Sequence, residues 1–104
     1  MNRELGDQFS LLPESIPLRK EDFRLEQLDD EMLLFHPSTA QVYYLNQTAS
    51  LVWGLCDGKR SFGEILRLLE NLYPESSAQI ELDVRATLEL FIRNGVIELK
   101  NERV

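Results

Sequence analysis

Residues 45–61, LNQTASLVWGLCDGKRS, decide the fold, because they contain the end of one strand and the starts of two helices. Asn46 is a good N-cap residue, since its side-chain oxygen accepts the free N–H groups of a first helical turn. Apolar residues then recur at the spacing of one helix face: Ala49, Val52, Trp53 and Cys56. The stretch therefore predicts a short helix that starts after Asn46 and ends at Asp57 and Gly58.

Two further helices follow this turn. Ser61 and Glu64 have the spacing of a capping box, which opens the second helix, and Pro74 closes it. The apolar stripe of this helix consists of Ile65, Leu68, Leu69 and Leu72. A serine at position 76 or 77 caps a third helix that runs to residue 94, where Gly95 is placed as a left-handed stop. Residues 96–99 predict a short extended segment at the end.

Three strand patterns precede the first helix. Residues 23–28 alternate apolar and polar side chains, residues 32–35 form a continuous apolar run, and residues 41–45 are rich in β-branched and aromatic side chains. Turn residues separate these segments. The patterns predict a three-stranded antiparallel meander followed by three helices, which is an α+β fold.

The first 20 residues lack a sustained period of two or 3.6 and contain two prolines. They predict a flexible N-terminal arm at residues 1–20, with a single domain at residues 21–104.

Composition and net charge exclude several classes of function. The 104 residues provide one small core, and a net charge of -7 argues against binding to nucleic acid or to an anionic membrane. One cysteine and one histidine exclude a disulfide framework and a multi-histidine metal site. Neither a signal peptide nor an apolar run long enough to cross a membrane is present, so we expect a cytoplasmic protein.

No catalytic constellation stands out in the sequence. Cys56 lies on the apolar face of the first helix, which is typical of a core thiol, and His36 lies alone at a strand end before a proline. A glycine-rich phosphate loop is absent. We therefore expect a protein that is not an enzyme and needs no cofactor or metal.

The third helix carries two apolar stripes. The ordinary core face consists of Ile80, Val84, Leu88, Phe91 and Ile92. A second stripe, nearly opposite, consists of Leu82, Ala86 and Leu90. This second stripe packs on the sheet or the arm, or else it is an exposed strip of the kind that marks a partner site.

Five separated motifs resemble the PqqD-like family. They are an LN-x-TA step at residues 45–49, an apolar helix with tryptophan at 52–56, a DG-x-R-S turn at 57–61, Glu64-Ile65, and a helix that runs from Asp83-Val84 to Gly95-Val96-Ile97. The resemblance covers residues 23–99. The chain departs from the family at Cys56, where leucine is usual, and at Thr87, where a larger apolar residue is common.

The resemblance implies a winged helix-turn-helix-like domain that recognises precursor peptides in the biosynthesis of ribosomally made, modified peptides. Members of the family bind the leader part of the precursor and deliver it to a modifying enzyme, such as a radical SAM enzyme, a cyclase or a protease. The leader adds as a strand to the third strand and fills the cleft beside the third helix.

The candidate peptide-binding residues follow from this mode, since an edge strand offers unpaired backbone groups. The strand residues are Gln41, Val42, Tyr43, Tyr44 and Leu45. For the helix wall, one rotation gives Leu82, Arg85, Ala86 and Glu89, and the other gives Asp83 and Thr87. The sequence leaves open which face of the strand borders the groove.

Two other functions compete with peptide binding. A DNA-binding winged helix needs a basic recognition helix, but residues 81–93 of the third helix carry three acidic and two basic side chains. A protein–protein adaptor or a homodimer would instead use the second stripe of this helix.

Overall fold

The computed structural model describes residues 11–100. In this part of the chain the strands are β1 (Ile16–Arg19), β2 (Arg24–Leu28), β3 (Glu31–Phe35), β4 (Val42–Leu45) and β5 (Ile97–Lys100). The helices are α1 (Gln47–Leu55), α2 (Phe62–Leu72) and α3 (Ser77–Arg93), with one turn of 3-10 helix at Pro74–Ser76 before α3.

The predicted meander is confirmed. The strands β2, β3 and β4 form an antiparallel sheet in that order, so β4 is an edge strand among the described residues. Asp29 adopts a positive φ of 54° in the tight turn between β2 and β3, where aspartate is among the residues that tolerate this conformation. In the centre of the sheet, Leu34 is fully buried and pairs with Leu25 on one side and Tyr43 on the other. This face of the sheet therefore covers the core.

Local capping signals place α1 and α2 as expected, whereas the predicted serine cap of α3 is not formed: Ser76 stands at the N-cap position, but its side chain makes no capping hydrogen bond. The Asn46 side chain accepts a hydrogen bond from the Ala49 N–H at 2.8 Å. The capping box at α2 is complete, since the Ser61 hydroxyl accepts from the Glu64 N–H and the Glu64 carboxylate accepts from the Ser61 N–H. Gly95 follows α3 with φ of 71°, a conformation that suits glycine.

The structure differs from the sequence prediction at the N-terminus. Residues 16–19, expected in a flexible arm, form β1 and pair antiparallel with β5, with Ile16 opposite Lys100. Ile16 is only 1% exposed, and burial of this side chain helps to hold the strand in place. The first ten residues of the predicted arm lie outside the described residues.

Strand β1 also supports the end of α1. The Arg19 guanidinium donates to the carbonyl of Gly54 at 2.6 Å and lies 5.2 Å from the Trp53 ring centroid. A cation at the C-terminus of a helix satisfies carbonyl groups that have no partner within the helix.

The predicted fold class, α+β, is confirmed. The winged-helix description is loose, because the first described strand, β1, pairs with the last one, β5.

The three helices enclose one core beside the sheet. Its buried side chains include Val52 from α1, Ile65 and Leu69 from α2, and Val84 and Leu88 from α3. The second stripe of α3 is exposed, with Leu82 63% and Leu90 46% accessible. No helix in residues 11–100 is long and apolar enough to cross a membrane.

Candidate functional site

A groove runs between the edge strand β4 and the C-terminal part of α3. It is lined by Val42, Tyr43, Tyr44, Leu45, Leu90, Phe91, Asn94 and Val96 and encloses about 330 Å³. These side chains carry no formal charge, and most of them are apolar. The groove is therefore suited to apolar side chains rather than to an ion or a phosphate.

Backbone groups border this groove on the β4 side. Antiparallel pairing uses one edge of β4 for β3, with Leu34 opposite Tyr43 and Leu33 opposite Tyr44. The backbone groups of alternate residues in such a strand point to the other edge. Because β4 has a single strand neighbour in the described part of the chain, its second edge is open to an extended peptide.

The structure answers which face of β4 meets the core. Tyr43 and Leu45 are half-buried and pack against the hydrophobic core, whereas Val42 and Tyr44 are 48% and 72% exposed. Gln41 precedes the strand and donates from its side-chain amide to the Tyr43 hydroxyl at 2.9 Å. Of the predicted strand residues, Gln41 thus supports Tyr43, and the other four line the groove.

The helix wall differs from either predicted set. Leu90, Phe91 and Asn94 line the groove. The sequence pattern places the first two on apolar stripes of the helix, but none of the three is among the predicted wall residues. At 100° per residue, Asp83 and Thr87 lie on the same side of α3 as Leu90 and Asn94. The second of the two rotations is therefore closer, although neither Asp83 nor Thr87 reaches the groove lining.

The other predicted helix residues do not line the groove either. Arg85 packs elsewhere, because its guanidinium lies 4.9 Å from the Phe62 ring centroid and donates to the Leu11 carbonyl at 3.4 Å. Leu82 and Ala86 are exposed and Glu89 is half-buried, all outside the lining residues. These four residues are thus not part of the groove lining.

Two ionisable side chains at the end of α1, Cys56 and Asp57, have pKa values that their surroundings shift. Burial raises the pKa of the Cys56 thiol to about 12, so the nucleophilic thiolate is scarce at neutral pH. Burial alone also raises the pKa of Asp57. However, hydrogen bonds from the Lys59 and Arg60 N–H groups and the Arg60 guanidinium at 2.7 Å together hold the Asp57 pKa below its usual range. Neither group faces the groove.

Within residues 11–100, no cluster of three or more histidine, cysteine, aspartate or glutamate side chains is placed to hold a metal ion. What the site offers is an open backbone edge beside an apolar cleft.

Fold and site together define a small α+β domain with an open strand edge next to a helix. The family model of Coenzyme PQQ synthesis protein D (PqqD) matches residues 31–97, and the chain belongs to this family.

One curated relative is the "PqqA binding protein" of Methylococcus capsulatus (strain ATCC 33009 / NCIMB 11132 / Bath), which is 43% identical over 53 residues. The match covers 51% of this chain and 55% of the relative, so the chain spans about half the length of the curated relative that it matches.

Two solved structures share the fold. The PqqD truncation of Methylobacterium extorquens PqqCD, described as a stand-alone RiPP recognition element, aligns with a TM-score of 0.71 at 22% identity. That alignment covers 88% of this chain and 98% of the other. TbiB1, solved in complex with the TbiA(beta) leader peptide, aligns with a TM-score of 0.63 at 22% identity over 78% of this chain and 94% of the other.

Proposed function

We propose that the chain binds the leader segment of a ribosomally synthesised precursor peptide and presents it to a modifying enzyme. The leader adds as an antiparallel or parallel strand at the free edge of β4, and its inward side chains enter the groove between β4 and α3. The protein itself contributes recognition, and the partner enzyme, such as a radical SAM enzyme, a cyclase or a protease, contributes the chemistry.

One observation carries this proposal: the open edge of β4 and the apolar groove lie side by side. Backbone hydrogen bonds at the edge supply affinity for any extended peptide, and the groove selects among side chains. An apolar side chain that becomes fully buried there contributes roughly 1.5–3 kcal/mol. The names of two similar proteins, a PqqA binding protein and a leader-bound TbiB1, support the same class of ligand.

Direct titration tests the proposal. A precursor gene is first sought among the short reading frames of the same genome, and its labelled leader peptide is titrated with the purified chain, alone and with the partner enzyme. We expect saturable binding at micromolar protein. Absence of saturable binding under both conditions would contradict the proposal.

Proline substitution tests the edge itself. Val42→Pro and Tyr43→Pro each remove one backbone donor, and because adjacent N–H groups point in opposite directions, one of the two removes a donor that faces the leader. We expect that variant to lose leader affinity by about 10-fold or more, measured by fluorescence anisotropy.

The matched controls for these variants are Glu26→Pro and Gln27→Pro on β2, which forms the opposite edge of the same sheet. They should leave leader affinity within about 2-fold, with native circular dichroism as the criterion that the fold is retained. Unchanged affinity in both β4 variants, with the fold retained, would exclude this edge.

The alternative function, an adaptor or homodimer contact, rests on the exposed stripe of α3. Leu90 already lines the groove, so the stripe leaves only Leu82 and Ala86 for a separate partner. This surface is narrower than the groove and its edge strand, and we therefore place leader binding first.

A further inference from the structure

The outer face of the meander carries an apolar patch that shares Val42 and Tyr44 with the groove lining and extends beyond the groove. Leu33 pairs with Tyr44, and Phe35 pairs with Val42, so these four side chains lie together on the face opposite Leu34. We call them the outer quartet. A depression of about 530 Å³ adjoins it, lined by Leu33, Phe35 and Val42 together with Glu26, His36, Pro37 and Ala40.

The quartet is open to solvent on β4, the same strand that borders the groove. Tyr44 and Val42 are among the large apolar or aromatic side chains with high exposure, whereas Leu33 and Phe35 are half-buried. An exposed aromatic side chain beside an exposed β-branched one forms a favourable cross-strand surface for a further strand. The patch is therefore continuous with the edge at which a leader strand would add.

Strand geometry indicates which residues of an added leader strand would lie beside this patch. Successive side chains of a strand point to opposite faces of the sheet, and residues directly opposite each other in neighbouring strands share a face. Leader residues opposite Tyr43 and Leu45 thus point toward the core side, where the groove lies. Leader residues opposite Val42 and Tyr44 point to the outer face and pack beside these two side chains.

Resting on the proposed function, we infer that the outer quartet is a second recognition surface for the same leader. The leader segment that binds here is a run of at least four consecutive apolar or aromatic residues, rather than a run in which apolar and polar residues alternate. Alternate positions of the run fill the groove, and the intervening positions extend the outer quartet across the new strand pair.

A serine scan of the leader tests this reading. Each position of the labelled synthetic leader is replaced by serine in turn, and the dissociation constant is measured with the unmodified protein. We expect at least four consecutive sensitive positions, with the outward-facing ones weakened by about 2- to 5-fold each, as is typical of cross-strand pairs.

Protein variants identify the outward-facing positions. Val42→Thr and Tyr44→Thr remove apolar surface while they keep a residue type that favours strands. Leu28→Thr, on the same outer face but on the far strand β2, is the matched control. Each β4 variant should weaken the parent leader by about 2- to 5-fold and should be non-additive with serine at its opposing leader position, whereas the control should change neither.

The outcomes separate this inference from the proposed function. Leader binding with sensitivity only at every second position, or with full additivity at Val42 and Tyr44, overturns the inference and leaves leader binding intact. Loss of partner-enzyme binding by Tyr44→Thr without any change in leader affinity also overturns it, since the quartet would then contact the enzyme. Absence of leader binding overturns both.

Discussion

Leu90 links two observations about α3, because it belongs to the exposed second stripe and also lines the groove. A side chain that is 46% exposed contributes modestly to the stability of the free protein, so its main role is expected in the complex. Tyr43, by contrast, is half-buried in the free protein, because its ring packs against the core and its hydroxyl accepts a hydrogen bond from the Gln41 side chain. Each wall of the groove therefore contains both packed and exposed side chains, with Tyr43 and Phe91 packed against the core and Tyr44 and Leu90 exposed.

Leu90→Ser tests this assignment. Loss of the Leu90 side chain from the groove should weaken leader binding by about 5- to 30-fold, which corresponds to about 1–2 kcal/mol, while thermal stability changes little because this side chain is exposed in the free protein. Leu82→Ser is the control, because Leu82 lies on the same stripe but outside the groove lining. Equal losses of affinity in the two variants, measured by isothermal calorimetry, would place the leader along the stripe instead.

Cys56 gives a residue-scale prediction about pH. Its thiol is buried and its pKa is raised to about 12, above the ordinary value, so the neutral form is favoured in the folded state. The thiol should react with an aromatic disulfide reagent at pH 8 far more slowly in the folded protein than in urea, and raising the pH to 9 should speed the reaction of the unfolded chain while the folded protein stays slow. Rapid labelling of the native protein would contradict its burial.

At the scale of the element, β1 shows how a short strand contributes to the core although its partner β5 lies far along the chain. Ile16→Ala should lower the free energy of unfolding by about 2–4 kcal/mol, since Ile16 is almost completely buried. Leu12→Ala serves as the control, because the Leu12 side chain is exposed and its loss should cost less than about 0.5 kcal/mol. Urea unfolding of both variants measures the difference. Equal stabilities would support the flexible arm that the sequence predicted.

The same elements show what sequence could predict. Asn46, the Ser61–Glu64 capping box and Gly95 act on backbone groups within a few residues, so the helix limits were readable from local patterns. The strand β1 was not, because its partner β5 lies about 80 residues further along the chain and Pro17, which lacks a backbone N–H, lies inside the strand and argues locally against one.

Of the two walls of the candidate site, local sequence patterns predict the strand wall but not the helix wall. The strand wall was predicted because β-branched and aromatic residues mark β4 locally. The helix wall was not, since two stripes of α3 are apolar and only packing against α1, α2 and β5 determines which one turns inward. Asn94 gave no apolar signal at all, although its spacing from Asp83 and Thr87 places it on their side of the helix.

At the scale of the whole molecule, charge and exposed surface predict its assembly. The net charge of -7 makes copies of the chain repel one another, and Leu82 and Ala86 offer less surface than the roughly 800 Å² per partner of a standard interface. We expect a monomer in sedimentation equilibrium across micromolar concentrations. A mass that rises toward twice 12.1 kDa would favour the homodimer.

The pairing of Ile16 with Lys100 has a consequence for how the domain can be attached to other proteins. Paired strands lie about 5 Å apart, so the two ends of the segment from 16 to 100 leave the fold at one corner. That corner belongs to the β1–β5 sheet, which shares no strand with the sheet that contains β4. Residues 11–15 continue from that corner to the helices, where Leu11 is buried and the Pro13 carbonyl accepts a hydrogen bond from the Gly63 N–H. A tether that enters before residue 11 would therefore start beside α2 and α3, whereas one that follows residue 100 would start beside β1, and the two kinds of fusion would hold a linked enzyme on different sides of the domain.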